Sequence, residues 1–329
     1  MDFLGQSRFV FQRNIAIIGV FLFLGKLLAW YLTNSDAVYS DAMESVVNVV
    51  SAFMGLYSLY LAAKPKDKDH PYGHGKIEFI TSGIEGVMII FAGLMIIIEA
   101  VKNLLNNNQL QDLDWGIGII LLVGLINYYI GYLSVKKGER DNSLVLVASG
   151  KHLQSDTYTT FGVLLSLILV YFTHWYWLDG VVALGFGAYI IFVGYKIISE
   201  AFGGIMDKAD VEILTQIVDV LEKHRKPEWV DIHNMKVQQF GSQLHIDAHI
   251  TLPWYKSLKE SHEEMEKIMH ILAENTERQI EFNFHMDDCK PFSCSLCELD
   301  CVHRRKPFML KMKWDTQSIS QTYKHSLNK

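Results

Sequence analysis

Apolar residues up to about residue 204 form blocks long enough to cross a bilayer, which takes about 20 residues. There are six such blocks, at approximately 12–33, 37–63, 77–105, 113–135, 143–172 and 177–199. A surface helix of a soluble bundle would carry a polar face with a period of 3.6 residues, and most of these blocks carry none. The pattern therefore predicts a membrane α-helical domain of six transmembrane helices over residues 1–205.

From about residue 206 the pattern becomes that of a soluble domain. Helical periodicity alternates with strand periodicity in the order 210–223, 230–239, 243–251, 258–273 and 279–286. The order helix–strand–strand–helix–strand predicts a cytoplasmic α+β ferredoxin-like domain (αββαβ) over residues 206–290. Residues 291–329 contain a cysteine motif and then a basic and polar tail, for which we expect disorder.

Charge fixes the expected orientation and excludes one class of function. The 329-residue chain is 50% hydrophobic and has a formal net charge of −6, which argues against a nucleic-acid partner. Basic residues concentrate near the start, after the second block and after the fourth block, whereas the alternate connections have almost none. The positive-inside bias then predicts a multi-pass protein of the cell membrane with both termini in the cytoplasm, in the inner membrane if the source is Gram-negative.

Polar residues inside two of the predicted membrane helices are the main functional signal, because ionisable groups there are costly. In the second helix they recur at helical spacing, at Asp41, Glu44, Asn48, Ser51 and Ser58. In the fifth helix they do the same, at Ser149, His152, Asp156 and Thr160. Each helix thus carries one polar stripe that faces away from lipid.

Two i, i+4 pairs on these stripes could together bind a metal ion. Glu44 with Asn48, and His152 with Asp156, supply two carboxylates, one imidazole and one amide oxygen. Two carboxylates balance the charge of a divalent cation, and a four-ligand N/O site suits zinc or another first-row ion. The alternative is that these groups only form hydrogen bonds between helices.

At these residues the sequence resembles the cation diffusion facilitators, which export divalent metal ions in exchange for protons. The resemblance covers about residues 10–290 and rests on SDAMESVVN, DKDHPYGHGKIE and KHLQSDTYT. It implies that Glu44, Asn48, His152 and Asp156 form the transport site. The second-helix half departs from the family pattern, which commonly has His or Asp at the first position and Asp at the second. Asp41, one turn before Glu44, could replace Asn48 as a ligand.

The loop after the second helix predicts a second, smaller metal site. Asp67, His70 and His74 are spaced by 3 and 4 residues in a turn rich in tyrosine and glycine. The alternative is that both histidines are ordinary loop residues. By resemblance this is a family metal site at the junction of the two domains. The resemblance also implies a structural charge pair between Lys76 and Asp207.

The resemblance implies a further metal site in the cytoplasmic domain, shared across a homodimer. The matching positions are His233, His249, His262, His285 and Asp287. Taken singly, each of these histidines could be a solvated surface residue. His245 has no such match, and we expect it at the surface.

All four cysteines lie in one short segment, at Cys289, Cys294, Cys297 and Cys301. A CxxC pair within a run of four is typical of a thiolate metal site and not of a disulfide framework. We expect an additional zinc site or a sensor in the tail; four free cytosolic thiols are the alternative.

These patterns predict a homodimeric divalent-metal efflux transporter of the lipid bilayer, with alternating access and proton antiport. Zinc is the favoured ion, as substrate and as structural or regulatory ligand, with iron, manganese, cobalt or cadmium as alternatives. A membrane metal sensor or receptor would keep the same ligands without ion flux. No arrangement of nucleophile or base indicates an enzyme.

Overall fold

The computed structural model describes residues 3–327 except 34–35, 107–115, 174, 176, 242 and 277, and for some helical residues it describes the backbone alone. The chain divides into two compact units, Met1–Met206 and Asp207–Lys329.

The described part of the first unit contains six long helices. They are α1 (Phe3–Thr33), α2 (Asp36–Ala62), α3 (Ile77–Asn106), α4 (Gly116–Arg140), α5 (Leu144–Thr173) and α6 (Trp177–Ile205). Within the described residues, four stretches are long and apolar enough to span a membrane: Gln6–Leu28, Ser45–Ala62, Ile77–Lys102 and Gly180–Ile205. The predicted fold class, a membrane helical domain followed by a small α+β domain, is confirmed.

Glycines allow α3 and α6 to pack with their backbones close together. A Cβ atom on Gly86 would lie 3.1 Å from the carbonyl oxygen of Gly194, and one on Gly194 would lie 2.8 Å from that of Gly86. Because neither glycine has a Cβ atom, the two helix backbones can approach more closely than larger residues would allow, as in other membrane helix pairs. The close packing fixes the position of α3 in the bundle, and Gly86 directly follows a buried glutamate described below.

The second unit has the predicted order of elements. It contains α7 (Val211–Lys223), β1 (Asp231–Phe240), β2 (Gln243–Leu252), α8 (Leu258–Glu274), β3 (Ile280–Asp288), a 3₁₀ helix (Pro291–Ser295) and α9 (Thr316–Ile319). Helix α7 is capped by Asp210, whose carboxylate accepts hydrogen bonds from two backbone N–H groups of the first turn. Helix α8 begins with a capping box between Ser257 and Glu260. Gly241, with φ of +63°, lies in the tight connection between β1 and β2.

The three strands form one mixed sheet in the order β1–β2–β3. Strands β1 and β2 are antiparallel, and β2 and β3 are parallel. Ile232, Ile246 and Ile250 of the sheet and Leu221 of α7 are fully buried in the core. One face of the sheet therefore packs against the helices.

The expectation of a disordered tail is wrong for the described residues up to 327. Trp314 and Ile319 are fully buried in the core of the second unit. The carbonyl oxygen of Gln321 accepts a hydrogen bond from the backbone N–H of Asn234 on β1. The apolar residues among the tail's charged positions supply the burial that orders it, because burying a large apolar side chain stabilises by about 1.5–3 kcal/mol.

Candidate metal sites

Asn48 connects the two residues that α5 contributes to the predicted transport site. Its Nδ2 donates a hydrogen bond to Asp156 Oδ2 over 2.6 Å, and its Oδ1 lies 2.8 Å from His152 Nε2. His152 is buried and Asp156 is half-buried. Three of the four predicted ligands therefore meet between α2 and α5, as the two i, i+4 spacings require.

The side chains of the fourth predicted ligand, Glu44, and of the alternative, Asp41, lie outside the described part of the structure. The backbone of both residues belongs to α2, and Glu44 precedes Asn48 by about one helical turn. Their roles as ligands stay predictions.

Glu85 on α3 is a buried acidic residue that the sequence analysis missed. Its side chain is fully buried, and its Oε1 accepts hydrogen bonds from Ser51 Oγ at 3.1 Å and Ser149 Oγ at 2.8 Å. The two serines follow Asn48 and precede His152 by three residues, so Glu85 extends the polar stripes of α2 and α5. A charged residue inside the apolar sequence of α3 was the signal that could have identified it.

A second buried glutamate, Glu78, lies at the first turn of α3. Arg8 Nη1 of α1 is 3.3 Å from its Oε1, and Ser143 Oγ donates a hydrogen bond to its Oε2 over 2.6 Å. Because this charge has a cationic partner and a hydrogen bond, Glu78 can link α1, α3 and the start of α5 as a structural ion pair.

The predicted loop residues converge on one point. Asp67 Oδ1 lies 3.3 Å from His70 Nδ1, Asp67 Oδ2 lies 3.3 Å from His74 Nε2, and the two imidazole centroids are 4.4 Å apart. One ligand atom from each residue lies within 4.8 Å of the others. Two imidazoles and a carboxylate are a donor set that fits zinc and similar ions.

The loop backbone prepares the carboxylate of Asp67 for this role. The backbone N–H groups of His70 and Asp69 donate to Asp67 Oδ1 over 2.7 Å and 3.0 Å. These bonds, led by that from His70, lower the pKa of Asp67, so the residue is ionised and available to a cation at neutral pH.

Strand register brings three histidines side by side on the cytoplasmic sheet. His233 on β1 pairs with His249 on β2, which pairs in turn with His285 on β3. Asp287 Oδ2 lies 3.4 Å from His233 Nε2 and 3.3 Å from His249 Nδ1, and these three residues form a second group with ligand atoms within 4.8 Å. Burial lowers the pKa of His233, which favours the neutral imidazole that a metal ion requires.

The other histidines of this domain differ in their surroundings. His285 is exposed and its Nδ1 is 3.5 Å from Asp287 Oδ1, at the edge of the group. His262 lies on α8, is exposed, and approaches Glu266 at 3.5 Å without joining the group. The expectation that His245 is a surface residue is wrong: it is buried against Phe240 and lies 3.4 Å from Glu281.

The cysteine segment is folded around Arg304. The guanidinium group donates hydrogen bonds to the carbonyl oxygens of Cys294, Cys297 and Leu299 over 2.6–2.9 Å. Burial raises the pKa of the Cys289 and Cys297 thiols, so a metal ion would have to displace their protons. Among the described residues the four sulfur atoms do not form a group within 4.8 Å, and the tail metal site stays a prediction. The predicted charge pair of Lys76 and Asp207, which belong to different units, likewise stays a prediction.

Comparisons with known proteins match both units. The cation efflux transmembrane domain matches residues 14–206, and the cytoplasmic domain of cation efflux proteins matches residues 209–289. The chain is 33% identical to an uncharacterized transporter of Synechocystis over 249 residues, which is 76% of this chain and 80% of that protein. It is 24% identical to the cation-efflux pump FieF of Shewanella oneidensis over 237 residues, 72% and 79% of the two chains. It is 25% identical to an uncharacterized transporter of Methanocaldococcus jannaschii over 267 residues, 80% and 94% of the two chains.

Proposed function

This chain belongs to the cation efflux family of membrane transporters, the cation diffusion facilitators, and from that premise we propose that it exchanges a divalent transition-metal ion for protons across the cell membrane. The favoured ion is zinc, with iron, manganese, cobalt and cadmium as alternatives. The proposed transport site consists of Glu44, Asn48, His152 and Asp156, with Asp41 as an alternative ligand.

The observation that carries this proposal is the contact of Asn48 with both His152 and Asp156. Hydrogen bonds of 2.6 Å and 2.8 Å hold an amide, an imidazole and a carboxylate together between two membrane helices. Polar groups inside a membrane are retained chiefly where they bind or conduct something. A carboxylate and an imidazole in one cluster suit a transition-metal ion better than a large organic substrate.

Proton exchange follows from the chemistry of these ligands. A metal ion binds His152 only when its imidazole is neutral and binds Asp156 only when its carboxyl group is ionised, so metal binding and protonation compete. A bundle that opens alternately to each side would then release metal on the acidic side and take up protons there. The two processes are coupled because they use the same atoms.

The remaining sites are proposed to hold resident or regulatory ions. The loop group of Asp67, His70 and His74 would order the connection between α2 and α3. The sheet group, completed by His262 from either subunit of a homodimer, would bias the transporter towards one conformation when the cytoplasmic metal concentration rises. The four cysteines would hold or sense zinc outside the conduction path, since Cys289 is the last residue of the second matched region and the other three lie beyond it.

Flux into proteoliposomes tests the proposal. The purified chain is reconstituted with a pH gradient, and uptake of Zn²⁺, Mn²⁺, Fe²⁺, Co²⁺ and Cd²⁺ is compared with parallel recording of internal pH. We expect saturable uptake with proton counterflow, and its loss in Asp156→Ala and His152→Ala. His270→Ala is the matched control, because this exposed histidine on α8 lies 3.3 Å from Glu274 and belongs to none of the proposed metal sites.

Each outcome separates the competing functions. Metal binding without flux in the wild-type protein would favour a membrane sensor and contradict the transporter. Flux without proton counterflow would contradict antiport. Normal flux in Asp156→Ala or His152→Ala would place the transport site elsewhere.

A further inference from the structure

We propose that Glu85 binds and releases one proton in each transport cycle, beside the metal-binding residues of α2 and α5. The inference rests on the proposed function, because it assigns part of the proton exchange to a residue outside the metal ligands. Three observations support it: the hydrogen bonds of Glu85, the contrast with Glu78, and its position along the bundle.

The surroundings of Glu85 favour a neutral carboxylic acid. Two serine hydroxyls donate to Oε1, which the carbonyl oxygen of the neutral acid can accept. The other oxygen, Oε2, is buried and has no hydrogen-bond partner among the described residues, and no described lysine or arginine forms an ion pair with Glu85. An ionised carboxylate in such surroundings is strongly disfavoured. The proton is therefore on Oε2 when no cation is near.

Glu78 offers a contrast on the same helix, because its carboxylate has a cationic partner. It is as deeply buried as Glu85 and lies seven residues, about two turns, before it. Arg8 supplies a counter-charge at 3.3 Å and Ser143 supplies a hydrogen bond at 2.6 Å. Of these two buried glutamates on α3, Glu85 is the one whose ionised form has no counter-charge among the described residues, which favours its uptake of a proton.

The position of Glu85 couples this proton to the metal ion. Ser51 is about one helical turn from Asn48, and Ser149 is about one helical turn from His152. Both serines lie between the transport site and the end of the bundle where residues 63–76 connect α2 to α3. Among the described side chains, the ionisable groups towards the transport site are His152 and Asp156, and those at the opposite side are Glu78 with Arg8. A divalent ion at the transport site favours the ionised carboxylate. The Oε2–H bond then breaks and the proton passes to water, and the bond forms again when metal leaves and a proton arrives.

Glu85→Gln is the decisive variant, because glutamine has the shape of the neutral acid. Its amide oxygen can accept from Ser51 and Ser149, so a purely structural role would be preserved. Ser149→Ala is the matched control, since it removes one of these hydrogen bonds but keeps the carboxyl group. Protons transported per Zn²⁺ ion are measured in proteoliposomes, and protons released on Zn²⁺ binding are measured by titration calorimetry in two buffers.

We expect Glu85→Gln to transport and to release about one proton fewer per Zn²⁺ ion, with a flatter dependence on pH, while Ser149→Ala keeps the wild-type ratio. Infrared difference spectra of the wild-type protein should show loss of a protonated-carboxyl band when Zn²⁺ is added, and this band should be missing in Glu85→Gln. Even if the variant folds poorly, the wild-type spectrum alone can refute the inference, because persistence of every protonated-carboxyl band would exclude proton release from Glu85.

Three results would contradict the inference in distinguishable ways. Zn²⁺ transport without protons in the wild-type protein would overturn the proposed antiport and this inference with it. Proton coupling in the wild-type protein with an unchanged ratio in Glu85→Gln would overturn the role of Glu85 alone. Persistence of every protonated-carboxyl band on Zn²⁺ binding to the wild-type protein would do the same.

Discussion

Replacing Asn48 with aspartate tests whether this residue binds the transported ion. In the wild-type protein Asn48 Nδ2 donates to Asp156 Oδ2 over 2.6 Å. Asn48→Asp keeps the shape of the side chain but places a second carboxylate where the donor was. At that separation of 2.6 Å, two carboxylate charges repel by about 6 kcal/mol at an effective dielectric constant of about 20. We therefore expect the metal-free variant to hold one shared proton between the two carboxyl groups.

A divalent ion replaces this proton and is bound by one more charged ligand. We expect the affinity for Zn²⁺ at alkaline pH to rise by about tenfold to a hundredfold, the range typical of changes around a metal site. The gain should shrink by up to about tenfold for each unit of falling pH, because one additional proton must be displaced. Release should become slower, and the order of affinity among Zn²⁺, Fe²⁺ and Mn²⁺ should change.

Titration calorimetry of the purified full-length protein measures this effect, at three pH values and in two buffers of different ionisation enthalpy. Asn48→Leu is the control, because it has a similar volume but no ligand atom, and it should lower the affinity. If the affinity and the number of protons released on binding are the same in Asn48→Asp as in the wild-type protein, Asn48 does not bind the ion. A similar change in both variants would indicate a packing effect instead.

Three further predictions concern the second unit. Trp314→Ala should lower the free energy of unfolding of this unit by about 3–5 kcal/mol, because the indole is fully buried and lies 3.8 Å from the Arg225 guanidinium. Unchanged hydrogen-exchange protection of residues 316–327 would refute this prediction. Burial alone would raise the pKa of Glu264, but hydrogen bonds and charges from Lys267, Trp229 and Lys226 outweigh it and lower the pKa to about 2. The stabilising contribution of Glu264, at most about 3 kcal/mol, should be complete above about pH 4.5 and be lost as the pH falls towards 2. A Glu264→Gln variant that keeps the same acid unfolding curve would contradict this expectation. Replacing all four cysteines with serine should lower the zinc content per chain without reducing transport at saturating metal, and equal zinc content in both proteins would show that the thiols bind none.

The tail shows where local sequence patterns mislead. Its basic and polar residues have the composition of a disordered segment, and that expectation was wrong because Trp314 and Ile319 join the core. Their partners come from α7 and the sheet, about 60 to 100 residues earlier in the chain. Local composition carries no information about such contacts. His245 was misplaced for the same reason, since Phe240 and Glu281, which surround it, come from different strands.

The sequence by itself determined the class of the protein and most of its candidate ligands. Long apolar blocks require a bilayer, and the spacing of His152 and Asp156 places both on one face of a helix, because these properties depend only on local periodicity. Only the tertiary structure decided that Asn48 bridges those two residues, that strand register aligns His233 with His249 and His285, and that Glu85 lies between two serines from other helices. Burial and the partners of a charge depend on which distant segments pack together, and that packing decides whether a carboxyl group is a structural ion pair or a proton carrier.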